Sequence, residues 1–337
     1  MIEDSCFARE HVINPAKNFV RTRKLDFATT ISFVLGNARE SYELSSERLC
    51  EVAPIDCVSG AALCKARAKI HYSAFREIFR KSTELMPQDE HFQGYDVIAI
   101  DGMKGEMPNV PSLKTKYPPV KGTAYPQFHA IAAYDVLNNF FMAADFRPAP
   151  GNEHDMASCL LDEPIFQGGK RIFLFDRGFP SLSLIQKLNE MGHKFVMRVS
   201  KSFLREVNAF TSSNYVDRTL EISYSARRGA TSGVQGDLPC KFPLRCVRIR
   251  FIDGTEEICV TNLPRETFPK RKIKELYGLC WGIEIGYNYL KHAVYIEEFT
   301  SKKENGIKQD FYASLWAANL INAVLHEPMP SSLKKEN

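Results

Sequence analysis

The hydrophobic period of the chain changes from one region to the next, and each change predicts a different kind of element. Over residues 1–90 apolar positions recur at helical spacing. The run 25–38 (LDFATTISFVLGNA) sets Phe27, Ile31, Phe33, Val34 and Leu35 near one stripe, behind the basic Arg21-Thr22-Arg23-Lys24. A second helix is expected over 43–52, ending before Pro54. Ser59 then caps GAALCKARAKI, a short helix carrying Lys65, Arg67 and Lys69. Residues 72–85 follow, with Phe75, Ile78 and Phe79 at helical spacing. Two readings stay open for this region: a helix-turn-helix-like DNA-binding module, or a plain helical bundle with a solvated cationic face.

From residue 95 the period shortens. Residues 96–100 (DVIAI) form an apolar run right for a buried strand that stops at Asp101-Gly102. Residues 103–126 hold Pro108, Pro111, Pro118, Pro119 and Pro126 together with Lys104, Lys114, Lys116 and Lys121, which predicts a loop. Strands 129–136 and 139–145 flank a Leu137-Asn138 turn suited to an antiparallel hairpin. Helix 154–162 precedes a Gln167-Gly168-Gly169 break, and strand 171–175 (RIFLF) ends at Asp176-Arg177-Gly178-Phe179. Helix 181–191 and strand 194–199 complete a βα unit.

Residues 203–265 alternate, at 220–225 and again at 244–252, where Val247, Ile249 and Phe251 oppose Arg248 and Arg250. A third strand is expected over 256–262, and the Gly-, Ser- and Arg-rich stretch 225–236 reads as an exposed loop. The arginine face is either phosphate-contacting or solvated. The order of elements suits an α/β ribonuclease H-like catalytic core, a mixed sheet with flanking helices. Its divisions are an N-terminal helical, DNA-binding region 1–90, a core 91–202, a β-rich insertion 203–265 and C-terminal helices 266–330.

Composition narrows the class only a little. At 337 residues, 44% hydrophobic and 25% charged, the chain has ordinary globular values, and a net charge of +4 is compatible with a nucleic-acid partner. Nine cysteines (6, 50, 57, 64, 159, 240, 246, 259 and 280) include no Cys-x2-Cys pair. That argues against a zinc site or a disulfide framework, and most lie in apolar patterns typical of buried thiols. The N-terminus lacks the apolar segment of a signal peptide and no stretch approaches a membrane span, so a soluble cytoplasmic protein is expected.

Asp101 and Asp176 each end an apolar run, where a carboxylate has little local reason to be. Each also precedes a glycine within two residues, so each could be an ordinary turn-former. The helix expected over 273–294 adds a third acid. Tyr277, Cys280, Glu284, Tyr287 and Lys291 follow one face, with Gly278, Gly282 and Gly286 opposite. Each glycine costs about 1 kcal/mol of helix propensity against alanine, which predicts close approach of another backbone there. An ordinary amphipathic helix with a surface Glu and Lys is the plainer reading. Three carboxylates brought together would hold two divalent ions about 3.5–4 Å apart, the arrangement suited to in-line phosphoryl transfer. His129 and His154 read as structural.

These residues resemble the DDE transposases of bacterial insertion sequences, in the insertion-sequence-four (IS-four) group. That group's second acid lies in Asp-Arg-Gly-Phe or Asp-Arg-Gly-Tyr, matched by Asp176-Arg177-Gly178-Phe179. Its third lies in Tyr-x2-Arg-x3-Glu-x6-Lys, matched at Tyr277, Glu284 and Lys291 but not at Cys280. The resemblance covers most of residues 20–325. It implies that Asp101, Asp176 and Glu284 are both catalytic and metal-binding, with two Mg²⁺ (Mn²⁺ as substitute). It further implies nicking at the element's terminal inverted repeats and attack of the freed 3′-OH on target DNA, by a homodimer in a synaptic complex. Tyr277, Lys291, Arg177, Lys65, Arg67 and Lys69 would contact DNA. With Cys280 in the arginine position, either a cation such as Arg177 or Lys274 compensates, or handling of DNA ends is weakened. A nuclease of the same fold, or a DNA-binding protein without turnover, are the competing readings.

Overall fold

The computed structural model describes residues 1–21, 23–37, 41–52, 58–120, 122–223, 241–251 and 254–326. Eight strands form one sheet: β1 (Asp96–Glu106), β2 (Gln127–Asp135), β3 (Phe140–Pro148), β4 (Arg171–Phe175), β5 (Lys194–Val199), β6 (Asp217–Ser223), β7 (Lys241–Arg250) and β8 (Glu256–Thr261), in the order β3-β2-β1-β4-β5-β8-β7-β6. Strands β1, β4 and β5 are parallel, and every other pairing is antiparallel. This is the mixed α/β sheet that the sequence predicts. The strands of 203–265 continue the same sheet, with β8 pairing on β5. The stretch 225–236 lies outside the described residues.

Two-residue periodicity sends alternate side chains of β1 to opposite faces. Ile98 and Ile100 join Phe173, Phe175, Phe195 and Met197 in one core with helices α7 (Glu153–Leu161) and α8 (Leu182–Glu190). Val97 and Ala99 join Ile172, Leu174 and Val196 in the other. The second core is covered by α10 (Lys270–Leu279), α11 (Gly282–His292) and α12 (Glu304–His326). The remaining helices are α1 (Ser5–His11), α2 (Phe27–Leu35), α3 (Tyr42–Val52), α4 (Gly60–Arg67), α5 (Ser73–Thr83), α6 (Pro111–Lys116) and α9 (Arg205–Thr211). Ser59 caps α4 as expected, accepting from the Ala62 N–H.

Several expectations need correction. Strand β1 does not stop at Asp101, because residues 101–106 keep pairing with residues 127–132 of β2. The helix expected over 273–294 is two helices, broken at Cys280-Trp281. There the Cys280 N–H turns back to Tyr277 O at 3.1 Å and the Glu284 N–H to Trp281 O at 3.1 Å, tighter closures than the regular helix makes. Gly278 has nothing within 4 Å, Gly286 meets the side chains of Tyr134 and Phe141, and Gly282 meets Val136, its side chain at 3.1 Å and its Cα at 3.8 Å. Of the described cysteines only Cys246 and Cys259 are buried, and Cys6, Cys64 and Cys159 are exposed.

The N-terminal helices share the second core. Phe33, Phe75 and Ile78 belong to the same apolar cluster as Phe311 and Leu315 of α12, and Tyr72 stacks on Tyr312 at 6.3 Å. Arg67 is only 3% exposed. Its guanidinium donates to Gln309 Oε1, Thr300 Oγ1 and Asp310 Oδ1, each at 2.6 Å, and to the Gly306 carbonyl at 2.5 Å. The expectation that Arg67 contacts DNA is therefore corrected: every donor faces inward. Arg248, expected at a phosphate or in solvent, instead donates to the carbonyls of Phe210 and Thr211 at the end of α9 and of Ser213 beyond it, and pairs with Glu256.

Candidate active site

The β1–β4 ladder keeps a constant register, from Asp96 opposite Arg171 to Ile100 opposite Phe175. The ladder ends there, and the next residues are Asp101, still in β1, and Asp176, just past the end of β4. Both share the strand parity of Val97, Ala99, Ile172 and Leu174, the face that α10 and α11 cover. Helix α11 lies over β1 and β2, anchored by Ile283, Tyr287 and Leu290, and the Tyr287 hydroxyl donates to the Asp101 carbonyl at 2.6 Å. This seating brings Glu284, in the first turn of α11, to the strand ends. Ile100, Asp101, Asp176, Arg198, Tyr277, Cys280, Trp281, Ile283 and Glu284 line one narrow cleft. Asp101 and Gly102 both lie within β1, so Asp101 is not a turn-former, whereas Asp176 opens a turn closed by the Phe179 N–H donating to the Asp176 carbonyl at 3.1 Å.

The electrostatics are those of crowded anions. Burial, with help from the charges of Asp176, Glu153 and Glu284, pushes Asp101 up from 3.8 to about 6 despite a hydrogen bond from the Gly102 N–H. Burial and the charges of Asp176 and Asp101 push the Cys280 thiol up to about 12, so it lines the cleft as a neutral group. Arg198, on β5, pairs with Asp176 through Nε and donates from Nη2 at 2.5 Å; its Nη1 reaches Glu257 Oε1 at 3.2 Å. Burial opposes charge on Arg198, but the Asp176 hydrogen bond and charge outweigh it and raise its pKa.

The other predicted residues separate. Tyr277 lines the cleft but is only 5% exposed. Lys291 pairs with Glu297 at 3.2 Å, and the exposed Arg177 pairs with Glu257. Neither lines the cleft, nor do Lys65, Arg67 or Lys69. Lys65 is exposed, and Lys69 stands 5.5 Å over the Phe19 ring. Lys274 donates to the Arg250 carbonyl at 2.9 Å and so does not fill the place of the missing signature arginine. His154 Nδ1 lies 2.8 Å from the Phe179 carbonyl and steadies the segment after Asp176.

Sequence reasoning missed two residues. Arg198 left a trace, a cation inside the apolar run KFVMRV. Glu153 left none, because an acid in the first turn of a helix is commonplace. Yet its carboxylate lies against the backbone following both aspartates: a Cβ built on Gly178 would fall 2.7 Å from Oε2, and one on Gly102 3.4 Å from Oε1.

Oxygen donors on three converging acids suit a hard divalent cation, and a cation would relieve the repulsion felt by Asp101. Among the described residues no three Asp, Glu, His or Cys side chains stand oriented to enclose a metal ion, and Asp176 is turned to Arg198. The acid set therefore fits in kind, with Arg198 as its present counter-charge.

The chain matches the family model "Transposase DDE domain" over residues 92–320. It is 23% identical over 324 residues to "Transposase InsG for insertion sequence element IS4" of Escherichia coli (strain K12), covering 90% of this chain and 70% of that protein. A likeness to the piggyBac transposase synaptic complex with hairpin DNA spans 96% of this chain and 72% of that one at 13% identity, but its TM-score of 0.49 carries no argument. The matched span runs from β1 into α12 and so takes in the strand ends and the helix turn that converge on the cleft. By that span the chain belongs to the DDE transposase family, with the IS4-type transposase as its curated relative.

Proposed function

We propose that Asp101, Asp176 and Glu284 hold the divalent ions with which this transposase cleaves DNA, and that two Mg²⁺ serve, with Mn²⁺ as substitute. The reading is supported by one observation: Asp101 and Asp176 follow the last pair of the β1–β4 ladder, and both line one cleft with Glu284 of α11. Bound there, the ions would neutralise charge on the attacking and leaving oxygens of a phosphodiester.

The chain's own residues do the rest. Tyr287 fixes the β1 backbone at Asp101, so this carboxylate is positioned before any ligand arrives. Arg198 balances Asp176, and with a cation held by the acids its guanidinium would be available to the cleft as a bidentate phosphate donor. This assigns to Arg198 the cationic role that Cys280 cannot fill. Tyr277 walls the cleft, while Lys291, Arg177, Lys65 and Lys69 contact backbone phosphates farther along the DNA. The substrates are the terminal inverted repeats of an insertion sequence and target DNA, engaged by a homodimer in a synaptic complex.

The test is cleavage and strand transfer on DNA bearing the element's ends, with Mg²⁺. Parent protein should nick the ends and join them to a supercoiled target. Asp101→Asn, Asp176→Asn and Glu284→Gln should each lose both steps while retaining the fold by circular dichroism. Persistent cleavage in Asp176→Asn would overturn the assignment.

A further inference from the structure

We propose that Glu153, oriented by the buried imidazole of His129, is a fourth functional carboxylate beside the cleft and serves the same divalent cations as the three acids. The inference rests on the three-acid reading above and extends it to a residue outside the family signature.

Three observations carry it. The first is position. The Glu153 carboxylate stands between the chain segments that leave Asp101 and Asp176, in space opened by the missing side chains of Gly102 and Gly178. A Cβ at Gly178 would fall 2.7 Å from Glu153 Oε2, while one at Gly102 would first meet His129 Nε2 at 2.8 Å.

The second is that the ordinary task of a first-turn acid is already done. In α7 the free N–H groups of His154 and Asp155 are taken by the cap residue, Asn152, whose Oδ1 lies 3.1 Å and 3.5 Å from them. Glu153 points away from its own helix terminus and toward the strand ends.

The third is His129, which is 1% exposed and whose two ring nitrogens make no hydrogen bond of regular geometry. Its Nε2 lies 3.3 Å from Glu153 Oε1. A Cβ on Gly102 would fall 2.8 Å from Nε2, and one on Gly151 2.8 Å from Nδ1, so the ring is tightly enclosed. The charged partner of the ring is therefore Glu153. An imidazole that orients a carboxylate beside a metal site is a recurrent supporting arrangement, and loss of such a partner typically costs about 10- to 100-fold in metal affinity or activity.

The experiment measures Mn²⁺ binding to the full chain by titration calorimetry, with no DNA present. Glu153→Gln should weaken Mn²⁺ binding about 10- to 100-fold while the metal-free circular dichroism and melting temperature stay at parent values. His129→Asn should weaken it in the same direction and by less. Glu153→Gln leaves the imidazole in place and carries the test alone if the His129 variant does not fold. Parent-like Mn²⁺ affinity in Glu153→Gln, alongside its loss in Asp176→Asn, would overturn this inference and leave the three-acid reading intact. Parent-like affinity in Asp176→Asn as well would overturn both.

Discussion

Asp101→Asn should make the metal-free protein more stable while abolishing cleavage. The Asp101 carboxyl is raised from 3.8 to about 6, first by burial and then by the neighbouring acids. A folded-state pKa above the unfolded one means the folded protein binds the proton more tightly. The ionised form therefore opposes folding at neutral pH, and that penalty disappears as pH falls through about 6 toward 3.8. The gap between the two values corresponds to about 3 kcal/mol at pH 7.5. Asparagine has the same shape and no charge, so it removes the penalty. The variant should gain about 1–3 kcal/mol in urea unfolding with EDTA at pH 7.5, the lower figure allowing for relaxation of Arg198 and solvent. At pH 4.5 the gain should shrink, because the parent is then largely protonated at this site. Saturating Mn²⁺ should reverse the order, since ligand bound only to the folded parent adds stability that the variant lacks. A variant less stable than parent at pH 7.5, or a gain unchanged at pH 4.5, would refute the crowded-anion account of the cleft.

Three further outcomes follow from the packing. Arg67→Met removes the buried cationic partner of Asp310 and should lower stability by about 3–5 kcal/mol by urea midpoint, with DNA affinity per folded molecule unchanged. Selective loss of DNA binding at parent stability would restore Arg67 as a DNA contact. Gly286→Ala places a Cβ 3.0 Å from the buried Tyr134 ring and 3.2 Å from Phe141. It should cost about 1–3 kcal/mol and reduce cleavage by displacing α11, read by unfolding and nicking assays. Arg198→Ala removes the present partner of Asp176, so calorimetry should find Mn²⁺ bound more tightly although DNA cleavage falls at least tenfold; weaker Mn²⁺ binding would contradict the exchange of Arg198 for a cation.

Apolar patterning located β4 and β5 to the residue, because short runs fully buried on both faces read the same way in sequence and in space. It failed at the far half of β1. DGMKGE has weak strand propensity, and pairing with β2 holds it extended, a decision made by a partner some 30 residues away. Arg67 was misjudged for a similar reason. A basic residue on a short helix looks solvated until its acid, Asp310, 243 residues later, is folded against it. The aspartates were legible because they end apolar strands. Glu153 was not, since only the folded strand ends reveal what its carboxylate touches.

The break at Cys280-Trp281 is what allows one segment to supply the third acid. In a straight helix the ten residues from Tyr277 to Tyr287 turn through about 1000°, leaving them some 80° apart around the axis. Yet both are buried against the sheet, at 5% and 7% exposure. The two halves achieve this by covering different strands: α10 packs on β5 and β7, and α11 on β1 and β2. In the sheet order β4 lies between these supports, so the join passes over the strand that leads into Asp176. Cys280, Trp281 and Glu284 accordingly line the cleft within one turn of the break. Glu284 is therefore placed by two packing surfaces rather than by the regular period of one helix. Pressure on either surface, as at Gly282 against Val136 or Gly286 against Tyr134, acts directly on the geometry of the acid.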